Sequence, residues 1–440
     1  MTKNSTELLQ QDHQYIWHPC SQMKDYETFN PLIIKKARGS YIELTDGNKI
    51  IDAISSWWCK SLGHNHPQLK QALFEQANDF EHVLFANTTH KTIIELSQEL
   101  ASICQPLSKI FYAGDGSCAV EIALKMSLHT RLLQGDSQRN HFIALQNGYH
   151  GETCGAMSVS DLGLYKDPYQ AMLFKPHFIS PIPYVSGPND PLWHDCGSLW
   201  SDIEKSLEPF IASTTAIIIE PIVQGAAGMK IYSQDFLRRL RQWSTRHDIH
   251  LIADEIMTGI GRTGKMLACE HAGIIPDFIC LSKGLTSGWM PFSTVLMKEE
   301  IYNYFYADYQ TGKSFLHSHT FSGNPLAASI ALATLKVIKN DNLVNRANEI
   351  GHEMLTAMLD IADRTKKITN IRSIGAMVAV DLINHTNQDR LGFHFYQKAV
   401  KNGALLRPLG NTIYWLPPLN IKMSTLEELK AITLKTLLEL

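Results

Sequence analysis

Lys283 stands in the stretch CLSKGLTSG, at the end of a short apolar run and among small residues. A lysine is seldom needed for solubility in such a setting. An amine held in a pocket can shed its proton and condense with a carbonyl cofactor. A solvated loop lysine is the plain alternative, and Lys283 alone would not outweigh it. Asp254, in LIADEIMTGIGRTGK, tips the balance: it ends a neighbouring strand candidate, where open α/β sheets place their ligand groups. A carbonyl-binding lysine with an acid facing a pyridinium nitrogen is the pairing that pyridoxal 5'-phosphate requires. Ile256, two residues beyond Asp254, lies on the same side of an extended chain and could pack on the ring face.

A phosphate needs a seat. Ala113-Gly114-Asp115-Gly116-Ser117 runs from a strand candidate into a helix candidate at Cys118. Free N–H groups at a helix start suit a phosphate dianion, and Gly116 and Ser117 allow close approach. Plain N-capping by Ser117 would leave the same pattern. Tyr149, in Asn147-Gly148-Tyr149-His150-Gly151, could stack on the cofactor or sit in the core. Gln224, just past another strand end, could reach the cofactor's phenolic oxygen.

One motif competes. GIGRTG, residues 259 to 264, matches G-x-G-x-x-G. A dinucleotide loop needs its first glycine directly after the strand, a helix opening at its last, and an acid about 20 residues on. Four residues separate Asp254 from Gly259, Glu270 comes too early, and Asp277 precedes another strand. Its surroundings are wrong for a dinucleotide loop.

The elements that must position these groups alternate from about residue 90 to 330. Strands are expected at 109–112, 141–145, 216–220, 249–253 and within 277–282. Helices are expected at 118–131, 236–247 and 327–339. Such alternation implies an α/β fold with a mostly parallel central sheet and helices on both faces. The C-terminal part has its own helices and short strands, at 377–382 and 412–416. It reads as a smaller α/β lobe completed by the N-terminus. The expected division is 1–62 and 329–440 for the small domain and 63–328 for the large one.

Composition narrows the class. The 440 residues are 44% hydrophobic and 19% charged, as in ordinary globular proteins, and the net charge is −3. That balance gives no electrostatic case for nucleic acid or an anionic membrane. There is no signal-peptide pattern, no run long enough for a membrane span, and the 8 cysteines are scattered. A cytoplasmic protein with reduced thiols is expected. His64-x-His66 and His317-x-His319 lack ligand-spaced partners, so no metal is expected.

IIIEPIVQG, LIADEIMTGIGRTGK and LSKGLTSG, in this order and spacing, resemble the class III pyridoxal-phosphate aminotransferases of fold type I. The resemblance covers nearly the whole chain and is most specific from Asp254 to Lys283. Trp17-His18-Pro19, Ser55-Ser56-Trp57-Trp58 and Asn147-Gly148-Tyr149-His150-Gly151 are similar to the biotin-pathway branch of that family. That branch transfers an amino group from S-adenosylmethionine to 8-amino-7-oxononanoate in ping-pong fashion. The alternatives are the same reaction with lysine as donor, or a class III enzyme for an ω-amino acid or diamine. The latter would not be expected to carry WHP and SSWW together. A cofactor-binding regulator is disfavoured by the presence of both Lys283 and Asp254.

The resemblance implies roles. Lys283 would hold the cofactor and move the proton, and Asp254 would pair with the ring nitrogen. Gly116 and Ser117 would hold the phosphate. Thr320, with His319 beside it, would reach that phosphate from a second subunit, making an obligate homodimer with shared active sites. Trp57 and Tyr149 would frame the substrate, Arg407 would pair with its carboxylate, and Tyr414 and Ser318 would contact it. Two stretches depart from the family pattern. Cys20 replaces a tyrosine after Trp-His-Pro, and Ser318-His319-Thr320 replaces Gly-Pro-Thr. Cys20 bears on the donor pocket, so the donor is less fixed by the resemblance than the reaction.

Overall fold

The computed structural model describes residues 5–384 and 390–440. Its centre is a seven-stranded sheet in the order Lys109–Ala113, Ser293–Met297, Phe278–Leu281, His250–Asp254, Thr214–Ile219, His141–Leu145, His177–Ile179. Every neighbouring pair from Phe278–Leu281 to His177–Ile179 is parallel. Ser293–Met297 runs antiparallel to both its neighbours. The expected mostly parallel sheet is therefore present, with one reversed strand that sequence reading did not assign.

Alternation along the strands sorts the two faces. Ala216, Ile218 and Ile252 pack with Ala119, Val120 and Ile122 of helix Gly116–Leu133. Ile217, Ile219 and Leu251 pack on the other side with Phe236, Leu240 and Trp243 of helix Gln234–Arg246. Period-two burial with helices on both faces is what a buried parallel sheet requires. Each fully buried Ile or Leu contributes roughly 1.5–3 kcal/mol.

A second sheet joins the two ends of the chain. Ile34–Arg38, Tyr41–Leu44 and Lys49–Asp52 form an antiparallel meander, and Ala404–Leu405 adds parallel to the last of them. A third sheet contains Ile368–Ser373, Val378–Leu382 and Thr412–Trp415. The GIGRTG stretch forms turns, not a strand-to-helix loop. From it the buried Arg262 guanidinium donates to the carbonyls of Ala376, at 3.0 Å, and Pro417, at 2.7 Å. The motif thus ties the turn after Asp254 to the C-terminal segment. Among the described residues no helix is long and apolar enough to cross a membrane.

Candidate active site

Register brings the acid and the lysine together. Asp254 pairs with Cys280 on the adjacent parallel strand, so Lys283 leaves that strand at the same end of the sheet. Asp254 is buried; one carboxylate oxygen lies 2.8 Å from His150 Nδ1, and the other accepts the Ile256 N–H at 3.1 Å. Lys283 has φ 42, the left-handed region that costs a non-glycine residue about 1–3 kcal/mol. Such strain persists where surroundings over-determine it. Here Lys60 Nζ donates to the Gly288 carbonyl at 2.8 Å, Ser61 Oγ to that of Gly284 at 3.4 Å, and Leu62 N–H to Ser287 Oγ at 2.9 Å.

Among the described residues the Lys283 amine has no hydrogen-bond or ion-pair partner. It stands 4.7 Å from the centroid of the Trp58 ring. Burial lowers its pKa below the ordinary 10.5, against the opposing pull of the Asp254 and Glu220 charges. Burial therefore makes the neutral amine easier to reach than it is in water.

The candidate anion seat lies at the start of helix Gly116–Leu133. Asp115 caps it by accepting the Cys118 N–H at 2.9 Å. The first-turn N–H groups of Gly116 and Ser117 have no intrahelical partner by helix geometry. The chain is packed tightly here. A Cβ on Gly116 would stand 2.9 Å from Ile256 Cδ1, and one on Gly151, at φ +124, would collide with Ser117. Ser117 Oγ is itself held by Thr153, 2.8 Å from its hydroxyl and 3.0 Å from its N–H.

Two acids shape the wall. Glu220 accepts the N–H groups of Tyr149 and Gly225, each at 2.9 Å, and so fixes the loop that carries Tyr149. Burial raises its pKa to about 7; His150 opposes the rise and the Asp254 charge adds to it. Glu152 accepts the Tyr149 hydroxyl at 3.1 Å. Sequence reading singled out neither His150 nor Glu220 as a site group. His150 sat inside a motif already under attention. Glu220 directly follows the buried strand Thr214–Ile219, close to the kind of position that drew attention to Asp254.

One cavity of about 580 Å³ is lined by Cys20, Trp57, Gly116, Ser117, Tyr149, Asp254, Ile256 and Lys283, with Trp58, His150, Glu152, Glu220 and Trp289. The remaining candidates lie elsewhere. Gln224 is buried outside the lining; its amide accepts the Tyr184 hydroxyl at 2.6 Å and donates to the Gln146 carbonyl at 2.8 Å, leaving neither group aimed at the cavity. Tyr414 is buried behind Trp58, whose indole N–H donates to its hydroxyl at 2.9 Å. It backs the wall instead of lining it.

Arg407 lines an adjoining cavity of about 730 Å³ that meets the first at Cys20. Its guanidinium donates to the Cys20 carbonyl at 2.8 Å and stands 5.1 Å from the Trp57 ring centroid. Ser318, His319 and Thr320 do not line this chain's cavity. His319 Nε2 is 3.0 Å from His317 Nε2, and His317 Nδ1 is 2.8 Å from Lys125 Nζ.

The residues present fit the aldehyde, pyridine ring and phosphate of pyridoxal phosphate. Among the described residues the lysine amine has no polar partner, and the buried carboxylate faces the same space. The Trp289 indole N–H, on the cavity wall, is buried and has no partner among the described residues. The anion seat is a helix start where glycine permits close approach.

Comparison with known proteins agrees. Residues 22–437 match the family profile described as Aminotransferase class-III. Helicobacter pylori adenosylmethionine-8-amino-7-oxononanoate aminotransferase is 41% identical over 424 residues, covering 95% of this chain and 94% of its own. The enzyme of the same name from Aquifex aeolicus is 36% identical over 422 residues, covering 93% and 92%. The crystal structure of the Methanocaldococcus jannaschii enzyme of that name superposes with a TM-score of 0.92 at 32% identity, over 99% of both chains. An omega transaminase from Pseudomonas jessenii, in complex with PMP, gives 0.90 at 26% identity over 98% of both. With its family profile matched over nearly the whole length and its lysine and acid at adjacent strand ends, the chain belongs to the class-III aminotransferases.

Proposed function

We propose that this protein is a pyridoxal-phosphate-dependent aminotransferase that converts 8-amino-7-oxononanoate to 7,8-diaminononanoate in biotin biosynthesis. S-adenosylmethionine is the amino donor, and the mechanism is ping-pong. The observation that carries the reading is the buried Lys283 amine sharing one cavity with the buried Asp254 carboxylate. The names of the curated relatives support the choice of substrates.

Bound pyridoxal phosphate supplies an electron sink that stabilises negative charge at the carbon losing its proton. The chain does the rest. Lys283, with its lowered pKa, is the base that takes that proton and returns it one carbon away. Asp254 holds the proton on the ring nitrogen, and His150 holds Asp254. The N–H groups of Gly116 and Ser117 hold the phosphate. The aromatic faces of Trp57, Trp58 and Tyr149 serve a sulfonium donor by cation–π attraction and an aliphatic chain by apolar contact.

Arg407, at the outer end on the Trp57 face, anchors the carboxylate of the long keto acid. In the donor the carboxylate is next to the reacting carbon, too near to use the same anchor in the same way. Arg407→Ala is therefore expected to raise KM for the keto acid roughly 10- to 100-fold, the worth of one charge-assisted pair. The donor half-reaction should change by less than about threefold. Stopped-flow measurement of each half-reaction checks this; equal losses in both would overturn the assignment.

The proposal includes a cytoplasmic homodimer whose partner supplies His319 and Thr320 to the phosphate, with Ser318 beside them. Exposed apolar side chains flanking that segment, Leu316 at 91% and Phe321 at 63%, support a covering partner. It also includes a large lobe, 63–328, and a small lobe from 1–62 and 329–440. The sheet joining Lys49–Asp52 to Ala404–Leu405 supports that division.

A further inference from the structure

We propose that Asp52, which does not touch the cavity, is a positioning residue that sets the orientation of the Trp57–Trp58 pair toward Arg407 and Lys283. The inference rests on the function above only for the substrate used in one of its tests.

Asp52 is fully buried at the end of strand Lys49–Asp52. A buried carboxylate must be compensated. One oxygen accepts the Ser56 N–H at 2.7 Å; the other lies 2.8 Å from both Ser56 Oγ and His64 Nε2. All three bonds grip the first turn beyond the strand or the loop that closes behind it.

That turn is strained. Ser55, Ser56 and Trp58 have φ 52, 59 and 66, left-handed values at three non-glycine positions out of four. Ser56 has ψ −88, far from any helical value. Conformations of this kind persist only where neighbouring bonds enforce them, and the Asp52 carboxylate supplies two such bonds to Ser56 itself.

The strain has a directed result. Trp57 presents its face to the Arg407 guanidinium and Trp58 presents its face to the Lys283 amine. Asp52 also pairs in register with Leu405, on the segment that runs on to Arg407. One buried carboxylate thus stands where the strand leading to the arginine meets the turn that carries its tryptophan platform. Glycine at Ser55 or Ser56 would relax the backbone and loosen the hold on both rings.

The test uses the full-length cofactor-loaded protein labelled with 5-fluorotryptophan, with the Trp57 and Trp58 fluorine signals assigned from the Trp57→Phe and Trp58→Phe variants. In Asp52→Asn these two signals are expected to shift and broaden without substrate, while those of the remaining tryptophans stay in place. KM for the keto acid is expected to rise roughly tenfold, the scale of a lost hydrogen bond to a charged group. That rise should vanish when Asp52→Asn is measured in the Arg407→Ala background, because both changes act through one contact. Ser56→Ala removes a single bond and serves as the milder variant should Asp52→Asn fold poorly.

Unchanged Trp57 and Trp58 signals, uniform broadening of all tryptophans, or an undiminished effect in the Arg407→Ala background would each overturn the proposal. If the wild type fails to aminate the keto acid, the proposed function falls, while the fluorine spectra still decide the role of Asp52.

Discussion

Lys283→Ala abolishes transamination, lowering kcat by at least about 10⁴-fold, the scale expected when a group serves as both covalent anchor and base. The protein stays folded. Alanine meets the same left-handed backbone at φ 42 that lysine already tolerates, and the three bonds from Lys60, Ser61 and Leu62 do not involve the lysine side chain. Removing an amine that burial disfavours also relieves a desolvation cost, so the melting temperature should hold or rise. Pyridoxal phosphate should still bind at the helix start, but the visible band of lysine-linked cofactor should be missing. Steady-state assay with both substrates, a thermal melt and an absorbance spectrum check the three parts. Turnover within a hundredfold of wild type would refute the role of Lys283.

Asp254→Asn is the second large effect. The amide keeps the size of the carboxylate but cannot hold a proton on a pyridine nitrogen by charge. The loss in kcat should be about 10²–10³-fold or more, the range for removing one preorganised electrostatic partner. A secondary consequence follows from the neighbouring acid. Burial and the Asp254 charge hold the Glu220 pKa up at about 7, above its ordinary 4.5. Between these values the folded protein binds a proton that the unfolded chain has released, so stability falls as pH rises from about 4.5 to 7. Without the Asp254 charge the Glu220 pKa drops and that fall becomes shallower. Chemical denaturation of the cofactor-free protein across this window, for wild type and Asp254→Asn, measures the difference. An unchanged pH slope would show that Asp254 does not bear on Glu220.

The candidate site was legible in the sequence where chemistry and strand ends coincide. Lys283 and Asp254 were readable because an ionisable residue closing an apolar strand has few structural reasons to be there. Gly116 and Ser117 were readable because a strand, a glycine and a helix start follow one another. Helix Gly116–Leu133 begins two residues before the expected start because Asp115, not a later residue, provides the cap. Helices Gln234–Arg246 and Pro325–Asn340 likewise start two residues early, at caps formed by Ser233 and Asn324.

What escaped depends on distant partners. Nothing in Ser293-Thr294-Val295-Leu296-Met297 tells that this segment enters the sheet reversed between Lys109–Ala113 and Phe278–Leu281; only the pairing decides it. Gln224 looked aimed at a ligand because it follows a strand end, yet Tyr184 and Gln146 from other segments take both of its polar groups. Tyr414 was placed against the substrate, while the structure sets it one layer back, under Trp58. The strain at Ser55-Ser56-Trp57-Trp58 was invisible because left-handed backbone is usually signalled by glycine, and none is present there.

The most direct test of the central claim follows the absorbance of the cofactor-loaded protein through each half-reaction in a single turnover. S-adenosylmethionine, added alone, should bleach the visible band of the lysine-linked cofactor, and 8-amino-7-oxononanoate added next should restore it with release of 7,8-diaminononanoate. A band that S-adenosylmethionine leaves intact and lysine bleaches would contradict the donor, with Cys20 the first residue to revert to tyrosine. A band bleached by a donor but never restored by the keto acid would contradict the proposed reaction itself.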